Sequence, residues 1–460
     1  MTNLGNEQNV KYFTRFNQIY EDPFLFFSNY LKGNISFSEI GQKCKKRKIS
    51  SEIRPTIYKI FLNILPYDKP GSWKKLIEEQ RQIYYTKLNN LLSQNENILP
   101  FIKCHSIKGS KPYEAIFNLL PENQRDILSL IKLDIDRTFQ ELDLFHNNTI
   151  KELLTKILFV NSIDNPNPSY CQGMNEILGS LLFAFLPSAR FNKFSKEENE
   201  KENNGSVTNL QMLYNFIVDE EHFEADLFTV YSELMSRDLT LLYTYNDDKY
   251  KDKNNKVAYD LVNLTIEDLN KSPESDLLKR IKKIFFIYLK IDQKYFDFLY
   301  GNVEPNLFLL RWLLCMLDRE ISLKNVLWTW DCILFYEFVE FTIEKKNTNA
   351  NINTNKINKN NENNNINDEN NEGSESKVEP KVHISRLNFL DYVCLSMIMD
   401  LKKDIINTDS SVVLSKFLKF PNEKNFKHIM KESFNLAKKL NGGIDRWENE
   451  IIKKSKNLLE

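Results

Sequence analysis

Two short runs hold the side chains best placed for chemistry, IKLDIDRTF at 131–139 and SYCQGMNEILGSLL at 169–182. Arg137 and Gln172 are the candidates in them. In the first run Ile131, Asp134 and Arg137 stand at i, i+3 and i+6. Asp134 and Arg137 are therefore one helical turn apart, while Ile131 and Arg137 lie on different faces. Taken alone, this spacing is a surface ion pair worth about 0.3–0.5 kcal/mol. Asp134 and Asp136 also point to different faces, which disfavours a paired-carboxylate acid–base site. In the second run, Tyr170-Cys171-Gln172-Gly173 lies in a Pro-rich loop just ahead of a helix, and alone it reads as a turn and a helix start. Cys171 as a nucleophile would need a base, and no histidine is near it in the sequence.

The rest of the chain must hold these residues in place. It has 460 residues, 42% hydrophobic and 12% aromatic, enough for a large core. Gly and Pro are scarce, at 12 and 14, which argues for helices rather than sandwiches, barrels or Gly-rich phosphate loops. Basic and acidic residues balance at 62 and 63, so no overall field favours nucleic acid or an anionic membrane. The KKRKI run after Cys44 is a local exception and reads as a solvated loop. Six cysteines (Cys44, Cys104, Cys171, Cys315, Cys332 and Cys394) form no C-x-x-C pair, and only Cys104 has a histidine beside it. That excludes an ordinary zinc module and suggests reduced thiols in a cytosolic setting. There is no signal-peptide pattern, no myristoylation start and no run of eighteen apolar residues.

Periodicity predicts a succession of helices. One contains Arg54, Pro55, Tyr58 and Phe61, with Ser50 or Ser51 as its cap. A long one follows from Ser72 as cap through SWKKLIEEQRQIYYTKLNNLLSQ, its apolar residues at helical spacing. Asn123 to about Thr138 carries Arg137. Thr149–Val160 is next, then Pro166 and Pro168 break the pattern, and a new helix starts near Gly173. Further helices run through NLFLLRWLLCMLDREISLKNVLWTWDCILF and end in a polar tail. The organisation expected is an N-terminal helical extension over 1–47, a first subdomain over 48–245 with a polar insertion at 188–210, a second over 246–440, and a tail over 441–460. The Asn-rich tract 346–380 inside the second subdomain has too few apolar residues to order itself.

Taken together, I-x-x-D-x-x-R-T-F and Y-x-Q-G-M-N-E-I resemble the two signature motifs of the TBC domain, whose members are GTPase-activating proteins for Rab GTPases. The resemblance covers roughly 48–440. Upstream, Ile53-Arg54-Pro55 with Tyr58 is similar to the family's opening R-x-x-x-W helix. Downstream, Arg311-Trp312, Arg319-Glu320 and Trp330-Asp331 resemble its R-W, R-E and W-D helices. The S-W-x-x-x-x-x-x-Q-R-x-x-Y helix and the V-C-x-x-M-x-M segment place the likeness near the subgroup of TBC domain family member thirteen. Tyr58 replaces the usual Trp, and the Gly-Ile-Pro that commonly precedes the opening helix is absent; both signatures are intact.

The resemblance implies an all-α, two-subdomain, V-shaped helical body. It implies that Arg137 is an arginine finger that enters a partner's site in trans, worth ~10³–10⁵-fold in rate. Gln172 would be a second finger that orients water and phosphate, since an amide both donates and accepts. In support, Asp134 is expected to pair with Arg54 and leave Arg137 free. Tyr170 would wedge the loop beside Gly173, and Asn175 would bond loop backbone. Arg311, Trp312, Trp330 and Asp331 read as core and helix-junction residues. The implied partner is a GTP-bound Rab, with no nucleic acid and no transmembrane segment. Membrane contact would be indirect, through the lipidated GTPase, at a cytoplasmic or peripheral endomembrane location. No Walker A or G-x-G-x-x-G motif exists, so no cofactor of its own is expected; GTP and Mg²⁺ belong to the partner. The chain would then be an activator with no reaction of its own. The alternative is a catalytically inactive scaffold that binds a Rab or another vesicle protein.

Overall fold

The computed structural model describes residues 23–94 (except 32 and 34), 120–186, 209–243, 275–362, 388–420 and 425–441. Among them the secondary structure is helical throughout, with no strand. Helix α1 is Pro23–Leu31 and α2 is Phe37–Lys45. Ser36 starts α2 with a reciprocal cap: its hydroxyl accepts from Glu39 N–H, and Glu39 accepts from Ser36 N–H at 2.6 Å. Both helices lie against the main body. Phe27 meets Tyr214, and the Phe37 ring stacks on Phe335 at 5.1 Å. The expected N-terminal extension is thus part of the core where it is described.

Helix α3, Arg54–Phe61, is buried along its whole length. Pro55 sits in its first turn, where a missing N–H costs nothing. Neither Ser50 nor Ser51 caps it; Ile53 holds the cap position and no side chain bonds there. Helix α4, Trp73–Gln94, follows a single 3₁₀ turn at Pro70–Ser72. Ser72 does not cap it either, because its hydroxyl donates back to the Lys69 carbonyl at 2.8 Å. The entry is fixed instead by the Trp73 indole, which is fully buried and donates to Pro66 O at 2.8 Å.

Next come α5, Glu122–Asp136, and α6, Asn148–Asp164. The Asn147 side chain caps α6 by accepting from Thr149 N–H at 2.9 Å. Helix α7 spans 174–186 and every residue of it is buried. Such all-round burial marks it as a central rod of the fold. Helices α8, Asn209–Ile217, and α9, Phe223–Leu234, then pack on α4. Arg81 of α4 reaches Asp226 of α9 through two hydrogen bonds of 3.0 and 2.8 Å, and Lys59 of α3 stands 3.4 Å from the same carboxylate. A five-residue π turn and the short α10, Thr240–Tyr243, end this half.

The second half holds α11, Asp276–Ile291, α12, Gln293–Asn302, and α13, Asn306–Leu314. The long α14, Leu323–Glu362, follows. It carries helix into the Asn-rich tract as far as Glu362, so the first part of the stretch expected to lack order is helical; 363–380 lies outside the described residues. The insertion at 188–210 and the tail at 441–460 lie almost wholly outside them too. The chain continues with α15, Asn388–Asp400, the single turn α16, Lys402–Ile405, α17, Ser410–Leu418, and α18, Phe426–Asn441. One contiguous apolar core links both halves. Trp312, Trp330 and Asp331 are buried in it as the sequence suggests. Arg311 bonds Glu320 at 2.6 and 2.9 Å and donates to Leu418 O at 2.8 Å, joining α13 to α17.

Candidate functional site

Helix α5 buries Leu128, Ile131, Asp134 and Ile135 and ends at Asp136, so Arg137 is its C-cap residue. The chain then turns sharply. Phe139 takes φ +42, and its ring packs on Phe145 and against Gly179 of α7, where a Cβ would come within 2.8 Å of it. That close approach pins the segment just after Arg137 to the central rod. The Arg137 side chain is 43% exposed and its guanidinium is paired with Asp134. Asp134 is itself buried and accepts a second hydrogen bond, from Tyr170 Oη at 2.7 Å.

The second loop meets the first through this carboxylate. Tyr170 Oη also lies 3.2 Å from Asn175 Oδ1. Asn175 Oδ1 accepts from Gly173 N–H at 3.1 Å, and its Nδ2 donates to Thr138 Oγ1 at 2.8 Å. Thr138 Oγ1 in turn donates to the Asp134 carbonyl at 2.8 Å. The result is a closed, buried ring through Asp134, Tyr170, Asn175 and Thr138, in which the single Tyr170 hydroxyl proton is shared between Asp134 and Asn175. Such a network rigidifies when every member is satisfied. Burial and the neighbouring Asp134 push the Tyr170 phenol far above its ordinary range, so it stays a donor.

Gln172 lies between Tyr170 and Gly173, both held in that ring. Its own side chain is exposed and, among the described residues, makes no hydrogen bond. Gly173 has φ +105, which side-chain-bearing residues rarely adopt. A Cβ there would also stand 3.1 Å from Cys315 Sγ and 3.2 Å from Tyr243 Oη. Tyr243 is anchored by donating to Leu314 O at 2.7 Å, so the floor under Gly173 is fixed. Cys171 is half-buried and burial raises its thiol pKa, the reverse of what a nucleophile needs.

Of the supporting residues expected, the structure gathers Asp134, Tyr170, Gly173 and Asn175 around Arg137 and Gln172. Arg54 is not among them. It donates to Asp331 at 2.9 and 3.2 Å and to Ile49 O at 2.9 Å, and Tyr58 Oη donates to the same carboxylate at 3.0 Å. The expected Asp134–Arg54 pair is therefore replaced by two others, Arg137–Asp134 and Arg54–Asp331. The reason is position: α3 faces α14, while Asp134 is saturated by groups from its own two loops.

Three residues escaped the sequence reading. Thr138 closes the ring described above. Glu176, one position past Asn175, accepts from Arg319 Nη1 at 3.1 Å. Burial pushes the Glu176 carboxyl above its usual range, and Arg319 pulls it back down. Asp318, next to Arg319, is buried with both carboxyl oxygens unpartnered among the described residues; the Ser180 hydroxyl is close but outside hydrogen-bond geometry. Thr138 and Glu176 lie inside the two runs, so their positions were visible. The Arg319 contact spans 143 positions and carries no local signal.

The chemistry on offer is thus a solvent-facing guanidinium and a solvent-facing amide on two cross-braced loops. Among the described residues, no group of three or more His, Cys, Asp or Glu side chains could hold a metal ion. No helix among them is long and apolar enough to cross a membrane.

The family model of the Rab-GTPase-TBC domain matches residues 51–272, a span that holds both loops. It covers just under half of the chain. The chain is 25% identical to human TBC1 domain family member 5 over 300 residues, covering 62% of this chain and 34% of that protein. It is 26% identical to human TBC1 domain family member 13 over 184 residues, covering 40% of this chain and 33% of that one. The chain thus spans about a third of the length of these curated relatives. Among solved structures, the Ypt/Rab-GAP domain of Gyp1p superposes with a TM-score of 0.55 at 16% identity, covering 90% of this chain and 96% of that one. At that identity the likeness is one of fold, and it extends well beyond residue 272.

Proposed function

We propose that this chain is a GTPase-activating protein for a GTP-bound Rab-family GTPase, with Arg137 and Gln172 supplied in trans. The observation that carries the reading is the hydrogen-bonded ring that ties the two loops together while leaving both tips at the surface. In this mechanism the Arg137 guanidinium neutralises charge that builds on the γ-phosphoryl group and the β–γ bridging oxygen. The Gln172 amide accepts from the attacking water and donates to the γ-phosphate. Nucleotide and Mg²⁺ arrive with the GTPase, and the chain has no reaction of its own. It meets the membrane through the lipidated GTPase and thereby limits how long a Rab signals in vesicle traffic.

For this to work Arg137 must leave Asp134. Arg137 is half exposed but Asp134 is buried, so releasing the pair costs more than the ~0–1 kcal/mol of a surface pair and at most about 3–5 kcal/mol. The rate gain expected of an arginine finger corresponds to about 4–7 kcal/mol of barrier lowering. Release is therefore affordable, and Asp134 keeps the Tyr170 hydrogen bond when it happens.

The test is single-turnover GTP hydrolysis across a panel of Rabs, with wild type beside Arg137→Ala and Gln172→Ala. The reading predicts that at least one Rab is accelerated and that the Arg137 variant loses most of the effect. Tight binding of a Rab with unchanged hydrolysis would replace it with a non-catalytic scaffold.

A further inference from the structure

A second feature lies where α2, α14 and α18 meet. A cavity of about 670 Å³ opens there, within the size range of small-molecule sites. Six cations line it: Lys45, Lys46, Arg47, Lys427, Lys431 and Lys438. Among the described residues no carboxylate does. The whole chain has a net charge of only -1, so this concentration of positive charge is a local property, not a reflection of composition. The first three cations are the KKR run that the sequence alone presents as a solvated loop. The other three come from α18, about 380 positions later, so only the fold brings the two groups together.

The aromatic side of the cavity narrows the choice of ligand. Arg47 lies over the Trp328 ring at 5.2 Å and Lys45 over the Phe434 ring at 5.3 Å. These rings are covered by the protein's own cations, which they hold in place. Arg47 is fixed further by donating to Lys324 O at 3.1 Å, and the Trp328 indole donates to Cys44 O at 3.0 Å. The pocket therefore joins pre-oriented positive charge to aromatic surface from Trp328, Tyr336 and Phe434. A single phosphate would reach two or three of these cations, and several phosphates on one compact ligand would reach more of them.

We propose that this pocket binds a compact anion bearing several phosphates, in the manner of a phosphorylated inositol ring. The same chemistry is found in a free polyphosphate and in a membrane-lipid headgroup. The proposal goes beyond the GTPase reading and does not depend on it.

The experiment uses the full chain at about 150 mM salt, because phosphate binding through lysines is screened. Calorimetry with inositol hexakisphosphate probes the free ligand. Sedimentation with phosphatidylcholine vesicles, with and without phosphatidylinositol bisphosphate, probes the lipid. The variants are Lys427→Glu/Lys431→Glu, both at exposed positions, and a control pair outside the pocket, Lys75→Glu/Lys403→Glu. The expected result is micromolar binding of inositol hexakisphosphate that falls at least tenfold in the pocket pair and less than twofold in the control pair. Vesicle binding with the same variant pattern would assign the lipid headgroup; soluble binding without it would assign a free ligand. The proposal is overturned if neither probe binds, if both pairs weaken binding alike, or if an acidic peptide of equal charge binds more tightly.

Discussion

Arg54 and Asp331 are joined by two hydrogen bonds, at 2.9 and 3.2 Å, across 277 positions of sequence. Both groups are buried, and Tyr58 gives the carboxylate a third donor. Burial works against the guanidinium's charge, but Asp331, Tyr58 and Glu52 together hold its pKa above the ordinary value. Removing one partner leaves a buried charge unmatched, a change that costs about 3–5 kcal/mol. Asp331→Ala should therefore lower the denaturation midpoint sharply. A double-mutant cycle should show strong coupling for Arg54 with Asp331 and additivity for Arg54 with Asp134. Coupling of Arg54 with Asp134 instead would refute the pairing seen here.

Arg137 is different, because its charge is half in water. Arg137→Ala should cut Rab-stimulated hydrolysis ~10³-fold or more, with a smaller loss of stability than Asp331→Ala because the buried Asp134 keeps its Tyr170 hydrogen bond. Arg137→Lys should recover little, since an ammonium lacks the planar fork of donors. A comparable loss of melting temperature would show that Arg137 is a structural residue.

Tyr170→Phe deletes one hydroxyl from the ring that braces the loops. A hydrogen bond to a charged group contributes about 1.5–3 kcal/mol. The variant should lose that much stability by chemical denaturation and also lose acceleration, since both tips hang from the same ring. Loss of stability with full acceleration would mean the ring has no part in placing them.

Gly173→Ala combines an unfavourable φ with a close approach to Cys315 and Tyr243. Strain of this kind costs about 1–3 kcal/mol. Tyr243→Phe would not relieve it, because the backbone angle remains. The check is chemical denaturation of the single and double variants, where rescue by Tyr243→Phe would show that contact, not φ, sets the cost.

Asp318 gives a pH signature. Its carboxyl is pushed well above the carboxylate range by burial and by Glu176. A raised folded-state value means the native state holds a proton that the unfolded chain releases. Stability from this group is therefore full below about pH 4, the unfolded value, and falls as pH rises from there toward the folded value. Asp318→Asn should remove that loss, so it should melt higher than wild type at pH 8, with the gap shrinking toward pH 4. A gap independent of pH would point to packing instead.

The sequence made the two loops legible because their residues are local: Asp134, Tyr170, Gly173 and Asn175 all fall within the two runs and meet there. It also showed the all-helical class, since apolar spacing survives in helices such as α4 and α5. It misjudged Arg54 because the choice between two carboxylates, Asp134 and Asp331, depends on which helices face each other. Periodicity says which side of a helix is apolar and says nothing about its neighbour. The Ser72 cap failed for a smaller reason of the same kind: its hydroxyl had a backbone carbonyl closer to hand.

The seam between α2 and α14 bears on how the chain comes into being. Trp328 bonds the Cys44 carbonyl across 284 positions, and ribosomes add about 5–20 residues per second. The early helices thus wait about 15–60 s for the strut they lean on. Through that interval Phe37 has the early rings of Phe61 and Tyr67 but lacks Phe335 and Phe338, so one side of α2 stays uncovered. The nascent chain carries that apolar surface until α14 is made, which makes it a natural client for chaperones that bind unfinished proteins.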